Sequence, residues 1–323
     1  EVTHDRLGSL ICAKTGTADS PRIMIPGHMD EIGFMVKLIT KEGFIRFAPL
    51  GGWPDQVLLS QRVIIRGRKG DVPGLIGAKP PHLMSGDERG KMVKKDDMFI
   101  DVGAKDEKEV TDKLGIRVGD PIAPDSPFGT MKNKKLLIGK AWDDRVGCGM
   151  FVSVLQDLEK QDHPNTVYGV GTVQEEVGTR GAQTSAEMVN PDICLVVDSG
   201  IAADVPGIKA EETQGKLGGG PQLYVLDGGM IGHRRLRDFI ADVADDCKIP
   251  YQISLLTAGA TDGRPIHLHA AGVPTIFIGV PVRYIHCHTG MIHSDDYDNT
   301  AKLITEVIKR LDADALETII GHR

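Results

Sequence analysis

The sequence predicts an α/β sandwich with a mixed, largely parallel central sheet, and a small β-rich, barrel-like domain inserted into it. Three observations carry this expectation. Apolar runs and helix-period stretches alternate along both ends of the chain, the middle changes to short runs broken by turn signals, and acidic residues and histidines recur just past the apolar runs. The alternation is that of a buried sheet covered by helices on both faces. With 323 residues the chain holds about two domains of roughly 150 residues each. The expected division is a discontinuous α/β domain, 1–40 and 136–323, around an insert at 41–135.

In chain order, 10–12 and 23–25 read as short strands. From 41 to 135 the runs 43–47, 57–65, 74–77 and 98–102 are separated by Gly-Gly, Trp-Pro, Pro-Pro and Ser-Gly signals, with one helix-like stretch at 105–114. Strands at this spacing, closed by Gly and Pro, make a small barrel. Beyond it, 136–138 reads as a strand, 145–158 as an amphipathic helix, 167–173 as a strand, 181–189 as a helix and 193–197 as a strand. Residues 230–247 are helical by pattern, 251–256 and 273–278 are strands, and 299–316 closes the chain as one helix, with apolar residues every three or four positions.

Composition narrows the function. Hydrophobic residues make up 41% and charged residues 26%, enough to bury a core and too much to remain disordered. A net charge of −7 argues against nucleic acid or an anionic membrane as the main partner. No apolar run reaches the ~18 residues of a membrane span, and Glu1 to Asp5 do not read as a secretory signal. The five cysteines are odd in number and include no C-x-x-C pair. Reduced thiols in a cytoplasmic protein are expected, most of them buried as small hydrophobes.

The polar groups fall in a pattern. His28-Met29-Asp30-Glu31, Trp142-Asp143-Asp144-Arg145, Gln174-Glu175-Glu176, Asp198-Ser199 and Arg283-Tyr284-Ile285-His286 each follow an apolar run. In a parallel sheet the carboxyl ends of the strands line one crevice, where ligands bind. Each group alone has an ordinary reading: a helix cap for Asp143 and Asp144, a solvated loop pair for Glu175 and Glu176, a hydrogen-bonded turn for His28 with Asp30. Together they put His, Asp, Glu, Asp and His around one crevice, which is electrostatically costly without counter-ions. A pair of divalent cations removes the cost. One bridging carboxylate, with one histidine and one further carboxylate per metal, suits Zn²⁺, with Co²⁺ or Mn²⁺ close behind. Pattern alone does not choose among His286, His288 and His293. His4, His82, His163, His233 and His322 read as surface residues, and His267 and His269 as core, surface or site lining.

The segments Gly27-His28-Met29-Asp30-Glu31-Ile32-Gly33-Phe34, Asp143-Asp144-Arg145-x-Gly147, Gln174-Glu175-Glu176-Val177-Gly178, Val197-Asp198-Ser199-Gly200 and Arg283-Tyr284-Ile285-His286 resemble the glutamyl aminopeptidase family. That family includes the self-compartmentalising tetrahedral (TET) aminopeptidases and proteins labelled cellulase M. Gly77-Ala78-Lys79-Pro80-Pro81-His82 resembles its small domain. The resemblance implies a di-zinc exopeptidase-like fold and two divalent cations per subunit: His28, Asp143 and Asp198 around one, Asp143, Glu176 and His286 around the other. It implies Glu175 as general base and acid, Asp30 as the residue that orients His28, and a cis peptide at Asp143–Asp144. It also implies pairing of subunits through the insert, with pairs assembling into a hollow dodecamer. Family members carry helix and loop ahead of the segment matching Asp5-Arg6-Leu7-Gly8; none of the implied site residues lies there. The expected activity is hydrolysis of the N-terminal bond of short peptides. The alternatives are a glycoside hydrolase, as some relatives are labelled, and an inactive peptide-binding shell.

Overall fold

The computed structural model describes residues 1–209 and 215–321. The expectation for His322 lies outside the described residues. The chain opens with β1 (Val2–His4), β2 (Leu10–Thr15) and β3 (Arg22–His28), then leaves the main sheet for a barrel of β4 (Gly33–Ile39), β5 (Ile45–Leu50), β6 (Arg62–Gly67), β7 (Gly70–Gly77), β8 (Phe99–Asp101) and β9 (Pro121–Pro124). A one-turn helix, α1 (Gly86–Arg89), lies between β7 and β8. The barrel closes in the order β4-β5-β8-β7-β6-β9, with β9 returning antiparallel to β4. Its strands thus begin at Gly33, ahead of the 41–135 limits expected from composition.

Phe34 is fully buried in the barrel and packs against Phe47 and Trp53 at centroid distances of 4.9 and 4.8 Å. The apolar residues of β4 through β9 form a core of their own. The helix-like stretch expected at 105–114 is helical from 107 to 114, widened to a π-helix over Glu109–Leu114 and ended by Gly115 in the left-handed region.

After the barrel come β10 (Gly129–Thr130), β11 (Leu136–Gly139), α2 (Trp142–Asp157), β12 (Thr166–Thr172), α3 (Arg180–Val189), β13 (Ile193–Ile201), β14 (Gln222–Leu226), α4 (Arg234–Asp246), β15 (Gln252–Leu255), α5 (Gly263–Ile266), β16 (Thr275–Arg283), β17 (Gly290–His293), α6 (Ser294–Arg310) and α7 (Ala313–Ile320). The main sheet runs β1-β2-β12-β3-β13-β16-β17-β11-β10, with β14 and β15 branching from β16. Strands β12, β3, β13 and β16 are mutually parallel. Strand β17 is antiparallel to β16 and β11 antiparallel to β17, so β11 points the same way as the other four. All five expected strand ends therefore open on one edge of the sheet.

The central strands are apolar on both faces because helices cover both. Ile23 and Ile25 of β3 belong to the core that includes residues of α2, α4, α6 and α7, whereas Met24 between them belongs to the core on the other face with residues of α3 and α5, as the two-residue period of a strand requires. The expected closing helix at 299–316 is two helices. In α6, Ala301, Ile304 and Ile308 lie on one buried face, and the helix stops at Leu311. Asp312 then accepts a hydrogen bond from the Ala315 N–H at 2.9 Å and starts α7. The helix expected from 230 begins only at Arg234, because Met230 turns back on Asp227 and His233 Nδ1 caps the Leu236 N–H. Strands β1, β4, β9, β10, β14 and β17 were not anticipated. Among the described residues no helix is long and apolar enough to cross a membrane.

His163, expected at the surface, is 3% exposed. Its Nδ1 lies 2.9 Å from Asn165 Oδ1, and the Asn165 amide donates to the carbonyls of Ile308 and Leu311 at 2.6 and 2.8 Å. Asn165 thus satisfies the end of α6 from inside the core. Asn165→Ala strands two buried carbonyls and is expected to cost about 2–4 kcal/mol of stability, seen as a lower urea midpoint at unchanged slope. A change within about 0.5 kcal/mol would contradict this role.

Candidate metal centre and active site

His28 is the last residue of β3, Asp143 and Asp144 open α2 after β11, and Asp198 lies within β13. Glu175 and Glu176 follow β12, and His286 follows β16. The structure brings all seven together. His28 Nε2 lies 2.9 Å from Asp143 Oδ1 and 3.8 Å from Glu175 Oε2. His286 Nε2 lies 3.2 Å from Asp143 Oδ2 and 3.8 Å from Glu176 Oε2. Potential ligand atoms of His28, Asp144 and Asp198 fall within 4.8 Å of one another, as do those of His28, Asp143 and Glu176. The Asp143–Asp144 peptide is cis. His288 is not part of the cluster: it is buried against Trp53 with neither ring nitrogen hydrogen-bonded among the described residues. His293 caps α6, and His267 Nδ1 pairs with the Gly263 carbonyl.

Glu175 and Glu176 are adjacent yet face the same crevice, because the chain leaves β12 through Gln174 in the left-handed region. Each reaches a different histidine. Asp30 holds this turn: its carboxylate oxygens accept from the Glu175 and Glu176 N–H groups at 3.1 and 3.2 Å. The expected contact to His28 is made instead by the Asp30 backbone carbonyl, 2.9 Å from Nδ1, while the carboxylate stands 3.8 Å away. The barrel completes the site. His286 Nδ1 donates to the Gly52 carbonyl at 2.9 Å, and a side chain on Gly51, at φ 85°, would begin 2.7 Å from Glu176 Oε2.

The donor set fits divalent cations. Both histidines direct Nδ1 at a backbone carbonyl, which leaves Nε2 of the neutral ring as a lone pair facing carboxylate oxygens at 2.9 and 3.2 Å. Two acceptors at that distance need a proton or a metal between them. Glu176 Oε1 is buried and unpartnered as well.

Cation-free electrostatics describe the same strain. Burial pushes Glu175 up to about 10 and Glu176 up to about 7, with neighbouring carboxylates adding to the shift. Burial, then Asp143, raises Asp198 well above the carboxylate range. Burial opposes charge on Asp143 too, but His28 and His286 outweigh it and hold that carboxyl well below its usual range. The Asp143 hydrogen bond, against burial, lifts His286 to about 9.

Two further acids belong to the centre. Asp144, noted in its motif without a role, is fully buried and accepts from the His28 and Gly147 N–H groups at 3.0 and 2.8 Å. Asp262, not singled out from sequence, is buried beneath the site; it accepts a short hydrogen bond from the Thr172 hydroxyl, and its Oδ1 has no partner among the described residues. No apolar run precedes Asp262, so strand-end reasoning does not find it. The cluster faces a cleft of about 500 Å³, whose other lining includes Ile201, Tyr224, Leu256 and Phe277.

A buried His/Asp/Glu set at the carboxyl ends of a parallel sheet, open to a cleft, is the build of a metal-dependent hydrolase. The chain belongs to the M42 glutamyl aminopeptidase family, whose model matches residues 8–303. It is 40% identical over 324 residues to the putative aminopeptidase FrvX of Escherichia coli, covering 100% of this chain and 89% of that protein. It is 35% identical to the glutamyl aminopeptidase of Lactococcus lactis (98% and 89% covered) and 33% identical to the lysyl aminopeptidase of Pyrococcus furiosus (96% and 87% covered). Among solved structures it superposes on a TET aminopeptidase from a marine sediment Thaumarchaeota archaeon with a TM-score of 0.96 and 47% identity, covering 99% of this chain and 89% of that one. It superposes on a dodecameric PhTET1-12s with a TM-score of 0.84 and 30% identity, covering 96% and 89%. The family expected from the motifs is the family found, and the protein is a metallopeptidase of the aminopeptidase type.

Proposed function

We propose that the protein removes the N-terminal residue of short peptides with two divalent cations and Glu175 as general base. One observation carries this: the two oxygens of Asp143 face the Nε2 atoms of His28 and His286 at 2.9 and 3.2 Å. Asp143 is then the bridging ligand, His28 and Asp198 complete one site, and Glu176 and His286 complete the other. Zinc suits this imidazole and carboxylate set best, with cobalt and manganese near equals. Bound cations would polarise the scissile carbonyl and acidify an attacking water. Glu175 takes the water's proton and returns it to the leaving amine, and Asp30 keeps Glu175 in place through its backbone. Two imidazoles between the carboxylates argue against the glycosidase alternative, which needs two carboxyl groups flanking a sugar ring. Chelator-stripped protein should cleave aminoacyl anilides only after Zn²⁺, Co²⁺ or Mn²⁺ is added. Sugar release from a glucan, or failure to cut any anilide with any of the three, would overturn the reading.

The same proposal makes the barrel a pairing surface for homo-oligomers; one similar structure is a dodecamer. Met35, Leu38, Leu59 and Leu75 of the barrel region are exposed, more apolar surface than a small module hides alone. Light scattering at micromolar concentration should give a mass at least twice that of one chain; a monomer would contradict it. All five cysteines are free, which fits a reducing cytoplasm.

A further inference from the structure

Beyond the ligand set, the cleft is lined by apolar and small side chains and by one guanidinium, that of Arg264. Among the described residues Arg264 is the only Lys or Arg in that lining, and its guanidinium makes no ion pair or hydrogen bond there. Its base is built with care. The Arg264 N–H donates to the Thr261 carbonyl at 2.9 Å. The buried carboxylate of Asp227 ties down both neighbouring segments, accepting from the Gly229 N–H at 2.7 Å and from the Thr261 hydroxyl at 3.2 Å. A Cβ on Gly229 would lie 2.9 Å from both Cβ and Cγ of Arg264, so only glycine there leaves room for the arginine stem. The stem is anchored while the exposed head has no partner among the described residues.

An anchored, unpaired guanidinium is a fork for a carboxylate. The apolar wall includes Tyr224 stacked on Phe277 at 4.2 Å, which accepts methylenes on the way to that fork. We propose that Arg264 is a specificity-determining residue that receives a carboxylate of the peptide substrate. This rests on the aminopeptidase reading. Two sources offer the same chemistry: the side chain of an acidic first residue, or the C-terminal carboxylate of a very short peptide.

The test compares metal-loaded wild type with Arg264→Gln and Arg264→Lys on two substrate pairs. Glutamyl and leucyl p-nitroanilide differ only in the first side chain; Leu-Gly and its amide differ only in the C-terminal carboxylate. Arg264→Gln should lower kcat/KM by about 10- to 100-fold on the carboxylate-bearing member of one pair, the range for charge-assisted hydrogen bonds. The neutral member should stay within about twofold, since Arg264 contributes nothing to it. Arg264→Lys should recover part of the loss, as a point charge without the fork. A response in the anilide pair assigns the site to an acidic first residue, and a response in the Leu-Gly pair assigns it to the C-terminus. Unchanged ratios in both pairs, or neutral substrates falling equally, overturn the proposal. Wild type that cuts none of the four overturns the aminopeptidase reading itself, so the two failures look different.

Discussion

Glu175→Gln is expected to lower turnover by about 10²–10⁴-fold while metal content and peptide binding stay largely intact. Glutamine keeps the size and most hydrogen bonds of glutamate but cannot take a proton from water. Glu175 is suited to that task by its surroundings. It is 9% exposed, its Oε2 stands 3.8 Å from His28 Nε2, and burial drives its affinity for a proton far up in the cation-free site. Nearby cations pull a carboxylate pKa down, so a residue that burial pushes up can remain basic enough to work beside them. Glu176→Gln should behave differently. Its carboxylate faces His286, so the variant should lose affinity for one cation and recover activity in excess metal. Assay of both variants at saturating Zn²⁺ or Co²⁺ decides the matter: rescue of Glu175→Gln but not of Glu176→Gln would exchange their roles.

Asp143→Asn is expected to damage both cation sites, leaving less than one of about two equivalents after dialysis, with activity falling in step. Among the described residues only Asp143 faces both histidines, one with each oxygen. Asparagine keeps the shape, removes the charge and turns one oxygen into an amide donor aimed at an imidazole. His28→Ala and His286→Ala should each lose mainly one cation, since each ring meets one oxygen. His288→Ala should retain both, because that ring packs on Trp53 outside the cluster. Two equivalents retained by Asp143→Asn would rule out its bridging role.

Much of this site was legible before the structure because parallel strands deliver their ends to one edge. At His28, Glu175 and Asp198, where apolar runs end in His, Glu or Asp, the fold placed those side chains together. The same logic reached Asp143, because β11 runs in the common direction although its neighbour β17 does not. Local rules failed where tertiary contacts decide. Adjacent residues on a strand point to opposite sides, which would have split Glu175 from Glu176; the left-handed Gln174 turns both into the crevice. Asp30 was expected at His28 by its side chain, yet two backbone N–H groups claim that carboxylate. Asp262 and Arg264 sit on a loop and a four-residue helix, with no periodic pattern to mark them. His163 looked like a surface residue because its own segment is polar, whereas Gly16 and Thr17, far earlier in the chain, lie against it and its partner Asn165 is tied to the end of α6. The barrel's start at Gly33 was hidden because β3 and β4 are both apolar and only the sheet pairing separates them.

The central claim, two cations held by this histidine and carboxylate set, is tested most directly by counting metal. Stripped wild-type protein is titrated with Zn²⁺ while bound metal and anilide hydrolysis are followed in the same samples. The account predicts about two equivalents per chain at saturation, with activity rising as they fill and proton release on binding as the raised carboxyls ionise. Full activity in stripped protein, or saturation at a single equivalent with full activity, would contradict it.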